Sequence, residues 1–154
     1  MKTFTDNAGR TWTISITIDA VRRVRDLLQV NLVQKNLQST LEQLLDDPVL
    51  LCDTIYCIVK PEADRLNITD EEFGRAMAGD AIEHATVAFL EELANFTPNP
   101  RDRERARRVV KAILDVAEKT RDLADKHLDA AIRQMESSGP ISGSSPALPE
   151  SIPA

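Results

Sequence analysis

Aromatic side chains are scarce in this sequence, at 4% of residues, and Trp12 is the only tryptophan. A core built without them rests on Leu, Ile, Val and Ala, a composition that favours helix-on-helix packing. Cys52, Cys57, His84 and His127 are the whole supply of thiol and imidazole ligands. A structural zinc site therefore lacks its donors, and no metal is expected. The two cysteines lie five residues apart in an apolar stretch, about 140° apart on a helical wheel, which keeps them from pairing and makes them buried, reduced thiols.

Glycine occurs five times, at Gly9, Gly74, Gly79, Gly139 and Gly143, never clustered as a phosphate-binding loop. A nucleophile elbow, a paired-histidine zinc motif and a calcium loop are missing as well. His84 falls away from the stripe of Ile82 and Phe89, and the neighbouring Glu83 diverges from it by about 100°, so the two make no catalytic pair. No catalytic, cofactor-binding or metal-binding residue is expected, and the chain reads as a non-enzyme without a cofactor. No run approaches the ~18 apolar residues of a membrane span, and "MKTFTDNAGR" has no signal-peptide core. A soluble, cytoplasmic protein without a membrane partner is the expectation.

The net charge is -6 over 154 residues, which argues against a surface that tracks nucleic acid or anionic lipid throughout. The charge is uneven. Residues 40–99 hold 13 acids against 3 bases, whereas 101–111 hold 6 bases against 2 acids. An acidic middle beside a basic collar fits solvated helix faces, charged partners, or further copies of the same chain.

The predicted architecture is mainly α, with an N-terminal β-hairpin packed on a small helical domain over 1–98, a long charged helix over 99–136 and a disordered tail over 137–154. In "TWTISITID" Trp12, Ile14, Ile16 and Ile18 alternate with polar residues, giving a strand with one dry face. "DNAG" before it supplies turn formers, so Lys2–Thr5 returns as the partner strand. A two-stranded hairpin is marginal alone; its dry face is expected on the helix that follows, against Val21, Val24 and Leu28. Asp19 is read as that helix's N-cap, and Ser39 with Glu42 as the capping box of a short second helix.

Asp47 and Pro48 open a central helix that is apolar nearly all round, and Pro61 inside it should kink or interrupt it. Thr69 with Glu72 forms another capping box, Gly79 with Asp80 marks a break, and Ile82, Ala85, Phe89, Leu93 and Phe96 form the next buried stripe. Asn99 and Pro100 start the long helix, on the order of 55 Å at 1.5 Å per residue. Along it Val110, Leu114, Ala117, Ala124, Leu128, Ala131 and Met135 keep a 3/4 rhythm that Arg121 interrupts, a pattern open to pairing with another chain. The last 18 residues contain 6 Ser, 2 Gly and 4 Pro, too little apolar content to order themselves.

The one charged motif that stands out is "RDRERARRVVK". Arg101, Arg105 and Arg108 share a helical face, Arg103 and Arg107 lie beside it, and Lys111 closes the stripe. Such a stripe contacts phosphate or an acidic protein surface. Against nucleic acid stand the interleaved Asp102 and Glu104, the lack of a stacking aromatic, and bases that oppose a helix dipole at its N-terminus.

Taken together, "FTDNAGRTWTISITIDAVRRVRDLL", "LLDDPVLLCDTIYCIV" and "TDEEFGRAMAGDAIEHATVAFLEELANFTP" resemble the tail assembly chaperones encoded among the tail genes of long-tailed bacteriophages and prophages. The resemblance covers about residues 3–98 and is carried chiefly by "DPVLL" and "EEFGRAMAGDAIE". It implies a non-enzymatic helper that holds the long, aggregation-prone tape measure protein soluble and brings tail-tube subunits to it. Such proteins act through surfaces, so no site residues carry over. Two other classes remain open: a self-assembling structural subunit of the virion, joined through the hairpin edge or the long helix, and a nucleic-acid-associated regulator using Arg101 to Lys111.

Overall fold

The computed structural model describes residues 1–139. Of the tail read from Ser137 onward, Ser137 closes the last helix, and residues 140–154 lie outside the described residues. The chain is mainly α behind an N-terminal hairpin, in the order β1 (Lys2–Thr5), β2 (Thr11–Ile14), α1 (Ile18–Leu28), α2 (Leu37–Asp46), α3 (Pro48–Arg65), α4 (Asp70–Arg75), α5 (Asp80–Phe96) and α6 (Pro100–Ser137). It forms two compact units, Met1–Asp115 and Val116–Ala154.

In the first unit β1 and β2 pair antiparallel with Phe4 opposite Trp12. Both side chains point to the dry face and are buried with Ile14. The turn between the strands is organised by one carboxylate. Asp6 accepts from the backbone N–H of Ala8 (2.9 Å) and Arg10 (3.0 Å) through Oδ1, and from Arg10 Nε (2.9 Å) and Trp12 Nε1 (2.8 Å) through Oδ2. Gly9 takes the left-handed φ of 78° that closes the loop. The same turn is tied to the α4–α5 connection, because Asn7 donates its backbone N–H to the Ala76 carbonyl and its side-chain amide to that of Ala78.

The hairpin does not lie on α1. β1 packs on α5 and β2 on α3, Trp12 meets Phe73 of α4 edge-to-face at 5.2 Å, and α1 packs on α3 instead. The hairpin thus lies on the two most deeply buried helices: α3 buries seven residues and α5 eight, whereas α1 buries three. β2 is also shorter than the alternation implied. It ends at Ile14, Ile16 stays buried in the connection, and Ile18 enters α1 with 63% of its surface exposed.

Two helix starts differ from the sequence expectation. Thr17, not Asp19, caps α1, accepting the Ala20 N–H at 3.1 Å, while Asp19 is drawn to Arg23 at 2.8 Å. Asn36, not Ser39, caps α2, and Ser39 donates the capped N–H. The caps at Asp47, Thr69 and Asn99 fall where the sequence puts them: Asp47 accepts from Val49 and Leu50, Thr69 from Glu72, and Asn99 from Arg101.

Pro61 does not interrupt α3, which runs on to Arg65. Proline has no N–H, so the carbonyl four residues earlier, at Cys57, loses its helical donor. Arg23 of α1 replaces it, donating from Nε to Cys57 O at 2.6 Å and from Nη2 to Ile58 O at 3.4 Å. Replacing Arg23 with Met keeps the stem but leaves that carbonyl without a donor, an expected loss of about 2 kcal/mol in denaturant unfolding. Adding Pro61→Ala restores a backbone donor, so the same replacement should cost clearly less in that background. Equal losses in both backgrounds would show that Arg23 acts through something other than the freed carbonyl.

Candidate functional site

Cys57 is buried and Cys52 half-buried, and both are free. Burial, then the Asp53 charge, pushes the Cys52 thiol up to about 11, and burial raises Cys57 as well. Neither presents a thiolate at neutral pH, the form a nucleophile or metal ligand requires. His84 and His127 are both exposed. Among the described residues no group of three or more His, Cys, Asp or Glu is arranged to hold a metal ion, and no helix is long and apolar enough to cross a membrane.

Surfaces remain, and three are defined by position and charge. The first is the basic stripe at the start of α6, which the structure divides. Arg103 turns inward, donating to the carbonyls of Thr97 (2.9 Å) and Pro98 (3.3 Å), and Arg107 reaches Asn95 Oδ1 at 3.0 Å. These two fasten α6 to the end of α5. Arg101, Arg105, Arg108 and Lys111 stay exposed. Arg101, Arg105 and Arg108 line one shallow open depression with Pro100 and Glu104. Arg105 pairs with Asp102 at 3.6 Å and Arg108 with Glu104 at 3.4 Å, both within the helix and largely in water, where such pairs contribute little.

The second surface is acidic and lies where α2 hands over to α3 and α4 begins. Asp46, Asp47, Asp53 and Asp70 are all exposed. The Asp53 carboxyl is held above its ordinary range, first by partial burial and then by repulsion from the Asp70 and Asp47 charges. Val49 stands beside them with 70% of its surface exposed.

The third surface belongs to the second unit, which begins at Val116. Leu123, Leu128, Ile132 and Met135 are exposed there, with Ile132 the least so at 39%. At 100° per residue, Ala124, Leu128, Ala131, Ile132 and Met135 fall within an arc of about 100°, the width of a core-facing stripe. The sequence rhythm identified this stripe apart from Ile132, which stands one position off the 3/4 count but within the same arc. Val110 of the same expected series is buried in the first unit and Leu114 half-buried, so the series serves two purposes that periodicity alone does not separate.

Comparison with protein-family models, with curated proteins and with solved structures returned no match.

Proposed function

We propose that this chain is a non-enzymatic helper of phage tail assembly, binding the tape measure protein or the tail-tube protein in the bacterial cytoplasm. The observation that carries the reading is the apolar arc of Ala124, Leu128, Ala131, Ile132 and Met135, exposed on a helix that offers charged residues on its remaining faces. A helix of this kind gains most of its stability from a covering partner rather than from intrinsic propensity, and apolar anchors at this spacing are how amphipathic helices are recognised. A long partner prone to aggregate presents the matching apolar segments. The protonated thiols and exposed histidines support a role in binding rather than in nucleophilic chemistry, and the sequence resemblance supplies the assembly context.

Co-expression with the tape measure protein of the same genome should keep that partner soluble. The complex should survive a rise to about 500 mM salt, because apolar contact is screened little by ions. Replacing Leu128 and Ile132 together with Glu should weaken it at least about a hundredfold, the effect of removing two apolar anchors. A tape measure that stays insoluble, with duplex DNA retarded in a steeply salt-dependent way instead, would overturn the reading in favour of a regulator.

A further inference from the structure

The helix of the second unit repeats every seven residues. From Ala117 it reads "AEKTRDL", "ADKHLDA" and "AIRQMES": the first place is alanine three times over, the third is basic, the sixth is acidic, and the fifth holds Arg121, Leu128 and Met135. The first and fifth places alternate at spacings of four and three, the 3.5-residue period of helices that wind on another helix, whereas a helix lying on its own domain follows 3.6. The charged third and sixth places both fall outside the apolar arc. Residues 118–137 are exposed on every side of the helix, and a solvated helix of this length is marginal by itself.

The occupant that matches this seam is the seam itself. Turned end for end about Lys126, a second copy sets Ala117 opposite Met135, Arg121 opposite Ala131 and Ala124 opposite Leu128, and the same three again by symmetry. Every layer then joins one large side chain to one alanine, the alternation that lets facing helices interdigitate. A parallel copy would stack alanine on alanine, leucine on leucine and Arg121 on Arg121, uneven in width and repulsive at the arginine. We propose that two copies pair antiparallel through Ala117, Arg121, Ala124, Leu128, Ala131 and Met135, an isologous contact that closes at two. The strip is about 27 Å long and about 10 Å wide on each copy, at the small end of interface size, so the dimer is weak and exchanges. It covers the same arc that carries the proposed function, and a partner that binds there displaces the second copy. The pairing itself stands whether or not that partner is the tape measure protein.

The test is the mass of the full chain alone, by sedimentation, as its concentration rises. Twice the monomer mass of 17.1 kDa should be approached at about 200 µM and lost at about 1 µM, the span of a weak interface. Leu128→Glu should raise the dissociation constant at least about a hundredfold, since each dimer loses two layers, and circular dichroism establishes that the helices remain. Raising salt from about 50 to about 500 mM should not loosen the dimer, because apolar contact is screened little and the meeting of Asp125 with Asp125 on one flank is relieved. On the other flank the antiparallel turn brings His127 beside His127, while Ala131 lies about 15 Å along the axis from its own counterpart. Under oxidised glutathione His127→Cys should therefore form a disulfide-linked dimer and Ala131→Cys should not, with the parent chain as the control for Cys52 and Cys57. A chain that stays monomeric at about 200 µM leaves the arc to a partner of another sequence and overturns the proposal. So does a dimer indifferent to Leu128→Glu, or one linked at Ala131→Cys and not at His127→Cys.

Discussion

Trp12→Ala is expected to be the most damaging single substitution in the first unit, lowering stability by about 3–5 kcal/mol, the range for emptying a large aromatic from a core. Trp12 is fully buried, stands edge-on to Phe73 with ring planes 79° apart, and donates its indole N–H to Asp6 at 2.8 Å. The substitution therefore opens a cavity among β2, α3 and α4 and removes one of the four donors to a buried carboxylate. Domains of this size are stable by roughly 5–15 kcal/mol, so the variant should sit close to its unfolding threshold. The check is urea unfolding followed by helical circular dichroism, since the substitution also removes the only indole. A denaturation midpoint equal to wild type would mean that the hairpin is not part of the cooperative core. Trp12→Phe should fall between the two, keeping most of the apolar volume while losing the hydrogen bond.

Local features of the fold were legible in the sequence because they depend on neighbours along the chain. Asp47 before Pro48, and Asn99 before Pro100, each combine a capping oxygen with a residue that tolerates only the first helical position, leaving one solution. Asp19 and Ser39 were misleading because another cap-forming residue stands two or three positions earlier, at Thr17 and Asn36, and tertiary pulls decide between them. Asp19 is taken by Arg23, whose other nitrogens reach across to α3. Nothing local announces that contact, or the survival of a helix through Pro61. The seat of the hairpin was illegible for the same reason, since it depends on the apolar faces of α3 and α5, far along the chain.

The candidate surfaces divide in the same manner. Helical periodicity gathered Arg101, Arg105 and Arg108 onto one face, but it could not show that Arg103 and Arg107 are spent on Thr97, Pro98 and Asn95 at the end of α5. The acidic surface sets Asp53 of α3 beside the charges of Asp47, at the start of the same helix, and Asp70, at the start of α4. Composition registered the excess of acid in this stretch, while only the packing of α2 and α4 against α3 collects part of it in one place.

Asp6→Asn should lower stability by about 3 kcal/mol at neutral pH, although it removes only a charge and no volume. The carboxylate is fully buried and accepts four N–H groups. An amide oxygen can still serve the two backbone donors, but the amide nitrogen then faces Trp12 Nε1–H and Arg10 Nε–H, donor against donor. Burial alone would raise the Asp6 carboxyl; the bonds from Trp12 and Arg10, with the Arg10 charge, outweigh it and hold the group below its ordinary 3.8. As pH falls through that ordinary value the unfolded chain takes up the proton first, so stability drops from there down through the lower folded value, and it is fully present above. Asp53 works in the opposite sense, because its raised carboxyl makes the folded state the better proton acceptor as pH falls. The difference between wild type and Asp6→Asn isolates the Asp6 contribution from that background. Unfolding free energies of wild type and Asp6→Asn followed by Trp12 fluorescence should draw together as pH falls from 7 through and below the ordinary 3.8, as Asp6 takes up its proton. Curves that stay parallel across the whole range would show that the charge of Asp6 does not hold the turn.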